Sequence, residues 1–266
     1  MATAQDAIEI EYPESDGRPM GETDLHRDWM FRILEILRYR YREQKVYVAS
    51  DLLVYYQEGQ PSKFVVPDVF IAFDCKNTQR RTYKIWEEGQ PPDVVFEVTS
   101  RSTSREDSVF KLQLYRQIGV RELFVYDPSA EYLEPSLQGY RLDDDGHYSP
   151  IRRGAGTLRS QMLGVDLDLN DLQLVLTDAA TGKPCLPAAD AEREWRIAEQ
   201  EARIAATQAR EAERAARLAE ADARQAEHEA RLAEAEARRV EREARLAAEA
   251  RVRELQAELD RLRGGG

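Results

Sequence analysis

The chain has 266 residues, 42% of them apolar and 33% charged, with a formal net charge of −12. That length and apolar share build one sizeable domain with residues to spare. The acidic balance counts against tight passive nucleic-acid binding, whose affinity comes mainly from Lys and Arg neutralising phosphates, and says less about a nuclease cleft, where metal-holding acids are part of the negative total. The two cysteines, Cys75 and Cys185, are far apart and follow no ligand spacing, so they read as small apolar residues in a reducing compartment. The opening MATAQDAIEIEYPESDG lacks the basic and apolar regions of an export signal, and no run of about 18 apolar residues occurs, so the expectation is cytoplasmic.

In chain order, residues 1–21 carry Pro13, Gly17, Pro19 and Gly21 and read as an irregular arm. Thr23 is placed to cap a helix through LHRDWMFRILEILRYRY, with Leu25, Trp29, Ile33, Ile36 and Leu37 as its apolar face. VYVAS and LLVYYQEG follow as strands, then a longer one, KFVVPDVFIAF, from Lys63 to Phe73. Residues 74–90 are polar, with Tyr83, Ile85 and Trp86 as anchors. PPDVVFEVTS is nearly continuously apolar, as in a strand covered on both faces. Ser102, Thr103 and Ser104 offer caps for a helix to about Ile118, Gly119 is placed to end it, and RELFVYDP is another buried strand. Short strands are expected near GYRL, HYSPI, VDLDL and LQLVL, with turns at Asp145-Gly146 and Asn170-Asp171. The strand–helix–strand unit over 92–126 predicts a parallel pair with a right-handed crossover, and hence an α/β fold with a mixed sheet flanked by helices.

Composition changes after Pro187. Residues 191–263 hold 18 acids and 16 arginines, contain no Pro or Gly, and have no aromatic residue after Trp195. That favours a long helix, and the division is an arm over 1–21, a domain over 22–187 and a helical tail over 188–263. Ile204, Leu218, Leu232 and Leu246 recur every 14 residues, so only alternate heptads carry a large apolar side chain. Val252, Leu255, Leu259 and Leu262 make a tighter 3-4-3 series. Two readings stand: a coiled coil with a thin seam, or a lone solvated helix.

Two acids lie in apolar runs. Asp68 follows Pro67 inside FVVPDVFIAF, where proline signals an edge, bulge or bend; the plain alternative is an acid bonded to a neighbouring N–H. Glu97 in DVVFEVTS is desolvated by its neighbours, and its plain alternative is a buried salt bridge to Lys111 or an arginine. Lys111 lies four residues after Asp107 and four before Tyr115, on one helix face, where an exposed pair with Asp107 is the ordinary explanation. Converging, the two carboxylates make a hard oxygen site that suits Mg²⁺, and a nearby lysine completes what phosphodiester cleavage needs. Glu35 on the first helix reads as solvated. His26, His147 and His228 are too scattered for zinc or a hydrolase triad, and no Gly-rich phosphate loop is present.

PD, then EVTS about thirty residues on, then a D-x-x-x-K-x-x-x-Y helix and GVRELFVYDP, resemble the Uma-two family of restriction endonucleases in the PD-(D/E)XK nuclease superfamily. The resemblance extends through GETDLH, DLLVYYQEGQP, KIWEEGQPPDVVFEVTSRST, EYLEPSLQGYRL and LGVDLDL, about residues 20–186, and an Ala/Arg/Glu tail is common in relatives. It implies catalytic Asp68, Glu97 and Lys111. It also implies Mg²⁺ or Mn²⁺ on Asp68, Glu97 and the Val98 carbonyl, with Ser100, Asp107 and Tyr115 in support and His26 as a neighbour of the site. The superfamily's lysine position is Thr99 here, and Lys111 reaches in from the following helix instead. The implied activity is metal-dependent cleavage of DNA, with the tail serving self-association or a protein partner. The alternative is a catalytically silent nuclease fold acting as a scaffold through its tail.

Overall fold

The structure is a computed structural model that describes residues 11–15, 23–100, 105–152, 154 and 157–263, with the side chains of 105–108 and 258–263 outside the description. The chain forms two compact units, one ending at Glu194 and one starting at Trp195.

The first unit opens with α1 (Asp24–Arg40), β1 (Val46–Ser50), β2 (Val54–Tyr55), β3 (Phe64–Val65) and β4 (Val69–Phe73). Next come β5 (Tyr83–Lys84), α2 (Ile85–Glu88), β6 (Val94–Val98), α3 (Arg105–Ile118) and β7 (Glu122–Tyr126). Five strands follow: β8 (Leu137–Leu142), β9 (Tyr148–Pro150), β10 (Leu158–Ser160), β11 (Val165–Asn170) and β12 (Gln173–Asp178). α4 (Ala188–Arg263) closes the chain. The main sheet has the order β1-β4-β6-β7-β8-β9. β6 and β7 pair in parallel across α3, and the other neighbours are antiparallel. The mixed sheet and its parallel crossover are therefore as the sequence predicts.

Alternation along the central strands builds a core on each face. Val69 and Ile71 of β4, with Val94, Phe96 and Val98 of β6, join Met30, Ile33, Leu34 and Leu37 of α1 and the apolar residues of β10–β12. Phe70 and Ala72, with Val95, join Leu114 and Tyr115 of α3 and the small sheet β3-β2-β5. The α1 stripe differs from expectation at its start. Leu25 is 45% exposed, whereas His26 is buried, because the stripe through Met30, Ile33 and Leu37 continues back to position 26 at helical spacing.

The expected strand from Lys63 to Phe73 is two strands, β3 and β4. Pro67 has no N–H to give a ladder, and its carbonyl instead accepts from the Asp51 amide at 3.2 Å. LLVYYQEG contributes only Val54–Tyr55, paired to β3 on one side and in parallel to β5 on the other. β10 was not anticipated, and the β11–β12 turn sits at Asp171 and Leu172, both at positive φ, one residue later than expected. Within the N-terminal arm, Tyr12 packs against Tyr55 and Trp86, and the Pro13 carbonyl accepts from Tyr55 Oη at 2.7 Å. Ser102–Ser104, proposed as caps, lie outside the described residues. Gly119 does end α3, at φ +89°. Among the described residues no helix is long and apolar enough to cross a membrane.

A second buried acid ties the sheet to the β10–β11 hairpin. Glu122 on β7 is fully buried and accepts from Arg141 Nε at 2.9 Å, from Ser160 Oγ and from the Gln161 amide at 3.0 Å. Glu122→Ala strands those donors together, so we expect a loss of about 2–4 kcal/mol in urea unfolding. A change below about 0.5 kcal/mol, the range of a neutral surface substitution, would contradict this role.

Candidate active site

The site is built by the register of β4 and β6. Val69 pairs with Phe96, so one further step sets Asp68 opposite Glu97 at the point where Pro67 has broken the strand. Glu97 shares its parity with Val95 and therefore faces α3. There Lys111 Nζ donates to Glu97 Oε2 at 2.7 Å, and Tyr115 Oη donates to Oε1 at 2.5 Å. Lys111 and Tyr115 lie one helical turn apart, which is why one carboxylate can be gripped at both oxygens.

Burial pushes the Glu97 carboxyl up to about 7; the Lys111 charge and hydrogen bond oppose this, and the Asp68 charge adds to it. Burial raises the Tyr115 phenol well above its ordinary value, and the neighbouring Glu97 charge raises it further. A central-strand carboxyl titrating in the neutral range, beside an ammonium, is an environment found at functional sites.

Asp68 is held differently. Its Oδ2 accepts from the Val98 amide at 2.6 Å and lies 3.2 Å from His26 Nε2. Lys111 Nζ also reaches the Val66 carbonyl at 3.4 Å, so the lysine spans from β6 to the break before β4. A small pocket bounded by Glu97, Val98, Thr99, Lys111 and Leu112 opens beside the pair.

The structure thus brings together Asp68, Glu97, Lys111, Val98 and Tyr115. The plain readings of the two acids hold as contacts: Asp68 does take a backbone N–H, and Glu97 does pair with Lys111. Lys111 departs from its ordinary explanation as an exposed residue, since its side chain is only 20% exposed and bridges to Glu97. Thr99 is buried, its amide bonded to the Tyr126 carbonyl at 2.8 Å. Ser100 is buried at the end of β6. The Asp107 side chain lies outside the described residues, and Glu35 is exposed. Sequence reasoning named His26 as a neighbour but missed its bond to Asp68. It also missed the Val66 carbonyl.

Among the described residues no three His, Cys, Asp or Glu side chains cluster as a metal site. A divalent cation held by the two carboxylates would draw its remaining ligands from oxygen donors, as hard cations prefer. The donors fit on that basis. Both bonds to Asp68 fall on Oδ2, and each Glu97 oxygen keeps a lone pair beyond its one protein donor.

A mixed sheet with helices on its faces makes this an α/β protein, with two acids juxtaposed on adjacent strands. The chain belongs to the Uma2 family, described as "Putative restriction endonuclease", whose profile matches residues 3–174. No curated protein matches. Among solved structures, one titled a putative nuclease belonging to DUF820, from Anabaena variabilis ATCC 29413, is 12% identical. It aligns over 58% of this chain and 78% of its own, with a TM-score of 0.39.

The Glu97 environment has a pH signature. A carboxyl whose folded pKa lies above its ordinary 4.5 costs nothing while protonated in both states. The fold then loses stability as pH rises towards about 7. In EDTA, the wild type should therefore lose on the order of 3 kcal/mol relative to Glu97→Gln between pH 4.5 and 8. Parallel urea-unfolding profiles for the two proteins would exclude the raised pKa.

Proposed function

We propose that the chain is a divalent-metal-dependent endonuclease, using Mg²⁺ or Mn²⁺, that hydrolyses phosphodiester bonds of DNA at Asp68, Glu97 and Lys111. The observation carrying this reading is the buried Glu97 carboxylate opposite Asp68, with the Lys111 ammonium 2.7 Å away. Membership of a family described as restriction endonucleases supports it.

Asp68 and Glu97 would hold the metal, with the Val98 main-chain carbonyl as a further oxygen. The cation, when bound, supplies Lewis-acid polarisation of the phosphoryl oxygen and a more acidic water. Lys111 keeps a proton at Nζ beside Glu97, where it orients the attacking water or meets charge growing on the phosphoryl oxygens. Tyr115 fixes the second Glu97 oxygen, so the carboxylate presents one geometry. Ser100 and Asp107 are assigned supporting places at the strand end and on α3.

Cleavage of supercoiled plasmid and of single-stranded DNA tests this. With Mg²⁺ or Mn²⁺ the wild type should nick, and Asp68→Ala and Lys111→Ala should each lose about 100-fold or more. Nicking that persists in both variants, or in EDTA, would sink the assignment.

We assign the tail to self-association or to docking a protein partner. In α4, Ile204, Leu218, Leu232 and Leu246 are exposed along the helix, so apolar area waits for a partner. Arg217–Glu213, Arg224–Glu220, Arg231–Glu227 and Arg238–Glu234 pairs, each at 2.6 Å, support the helix from within. If the tail self-associates, full-length protein carrying Leu218→Ser, Leu232→Ser and Leu246→Ser should drop to monomer mass by light scattering. An oligomer of unchanged mass would exclude this seam.

A further inference from the structure

His26 is the one imidazole brought to the acid pair, and it arrives from the opposite face of the sheet. Its place on α1 is set twice. Thr23 Oγ1 accepts from the His26 amide at 3.3 Å, which caps the helix, and Met30, Ile33, Leu34 and Leu37 bury the same stripe in the core. The residue is 2% exposed, so its ring moves only if the helix moves. Nε2 lies 3.2 Å from Asp68 Oδ2. In the tautomer that makes this bond to a carboxylate oxygen, Nε2 is the donor.

Asp68 needs such a partner. It follows a proline at a break between two strands, where the backbone ladder does not hold the chain, and its side chain is 12% exposed. The Val98 amide and His26 both bond to Oδ2, from two different elements. Two donors on one oxygen fix the rotation of the carboxylate and leave Oδ1 available to a ligand. We infer that His26 is a positioning residue, which locks the Asp68 carboxylate in the orientation that binds a divalent cation. The inference rests on the reading of Asp68 as a metal ligand. Partners that orient a ligating side chain change metal affinity about 10–100-fold when removed.

The test is Mn²⁺ titration calorimetry on the full chain, comparing wild type with His26→Gln and His26→Leu. A glutamine amide nitrogen reaches the place of Nε2, whereas leucine fills the space without donating. The Leu variant should bind Mn²⁺ about 10–100-fold more weakly. The Gln variant should stay within about threefold of wild type, since it keeps the donor that the mechanism requires. Plasmid nicking at subsaturating Mn²⁺ should fall in the Leu variant and stay near wild type in the Gln variant. Thermal melting in EDTA reports folding separately. If the Leu variant does not fold, His26→Asn takes its place, because its shorter amide does not reach Asp68. Equal affinity in wild type and the Leu (or Asn) variant overturns the positioning role alone, as does a Gln variant as weak as Leu. A wild type that binds no Mn²⁺ overturns Asp68 as a metal ligand and this inference with it.

Discussion

A carboxylate in a central strand, buried on both faces of its sheet, is the constraint around which this fold is arranged. Left alone, Glu97 would be neutral or the strand would be unstable. Instead α3 lies across β6 with Lys111 and Tyr115 one turn apart, each bonded to a different Glu97 oxygen. The parallel β6–β7 pair requires a crossover helix, so the same connection that closes the sheet also delivers the two donors. Topology and site are therefore one problem here: α3 cannot be shortened or rotated without exposing its core face and releasing Glu97.

The break before β4 does complementary work. Pro67 has no N–H with which to carry the ladder past this point. With the ladder interrupted, Asp68 turns its Oδ2 to the Val98 amide, and the Val66 carbonyl is free to meet Lys111. A proline that is a poor strand residue by propensity is thus compatible with the fold because it stands at the mouth of the site.

Much of this was legible in the sequence, and the reasons differ by residue. Pro67-Asp68 and Glu97 stood out because each breaks a local rule, a proline in a strand and an acid in an apolar run. Lys111 and Tyr115 were legible through helical spacing. His26 was half legible. It continues the buried stripe of α1 back from Met30, but an apolar reading of that face selects Leu25, and nothing local indicates a partner 42 positions away. The small sheet was missed because strands of two residues carry no period, and Glu122 because its partners come from two distant segments. Tyr12 was missed for a related reason: a polar, Pro-containing arm gives no sign that one of its aromatics packs edge-on and tilted against Tyr55 and Trp86.

An acidic chain and a polyanionic substrate are reconciled locally rather than globally. Without a cation, two carboxyl groups share one ammonium here, an arrangement that offers a phosphodiester little attraction. The burial that raises the Glu97 pKa is a measure of how unfavourable the second negative charge is. On the proposed reading, a divalent cation on the pair would add positive charge where the phosphate must lie, and the same residues would then attract it. Under that proposal cation and DNA would favour each other's binding, since each lowers the charge repulsion the other meets. The alternating Arg and Glu of the tail fit the same logic. Their pairing within the helix interleaves positive and negative charge along it, which weakens any attraction to phosphate.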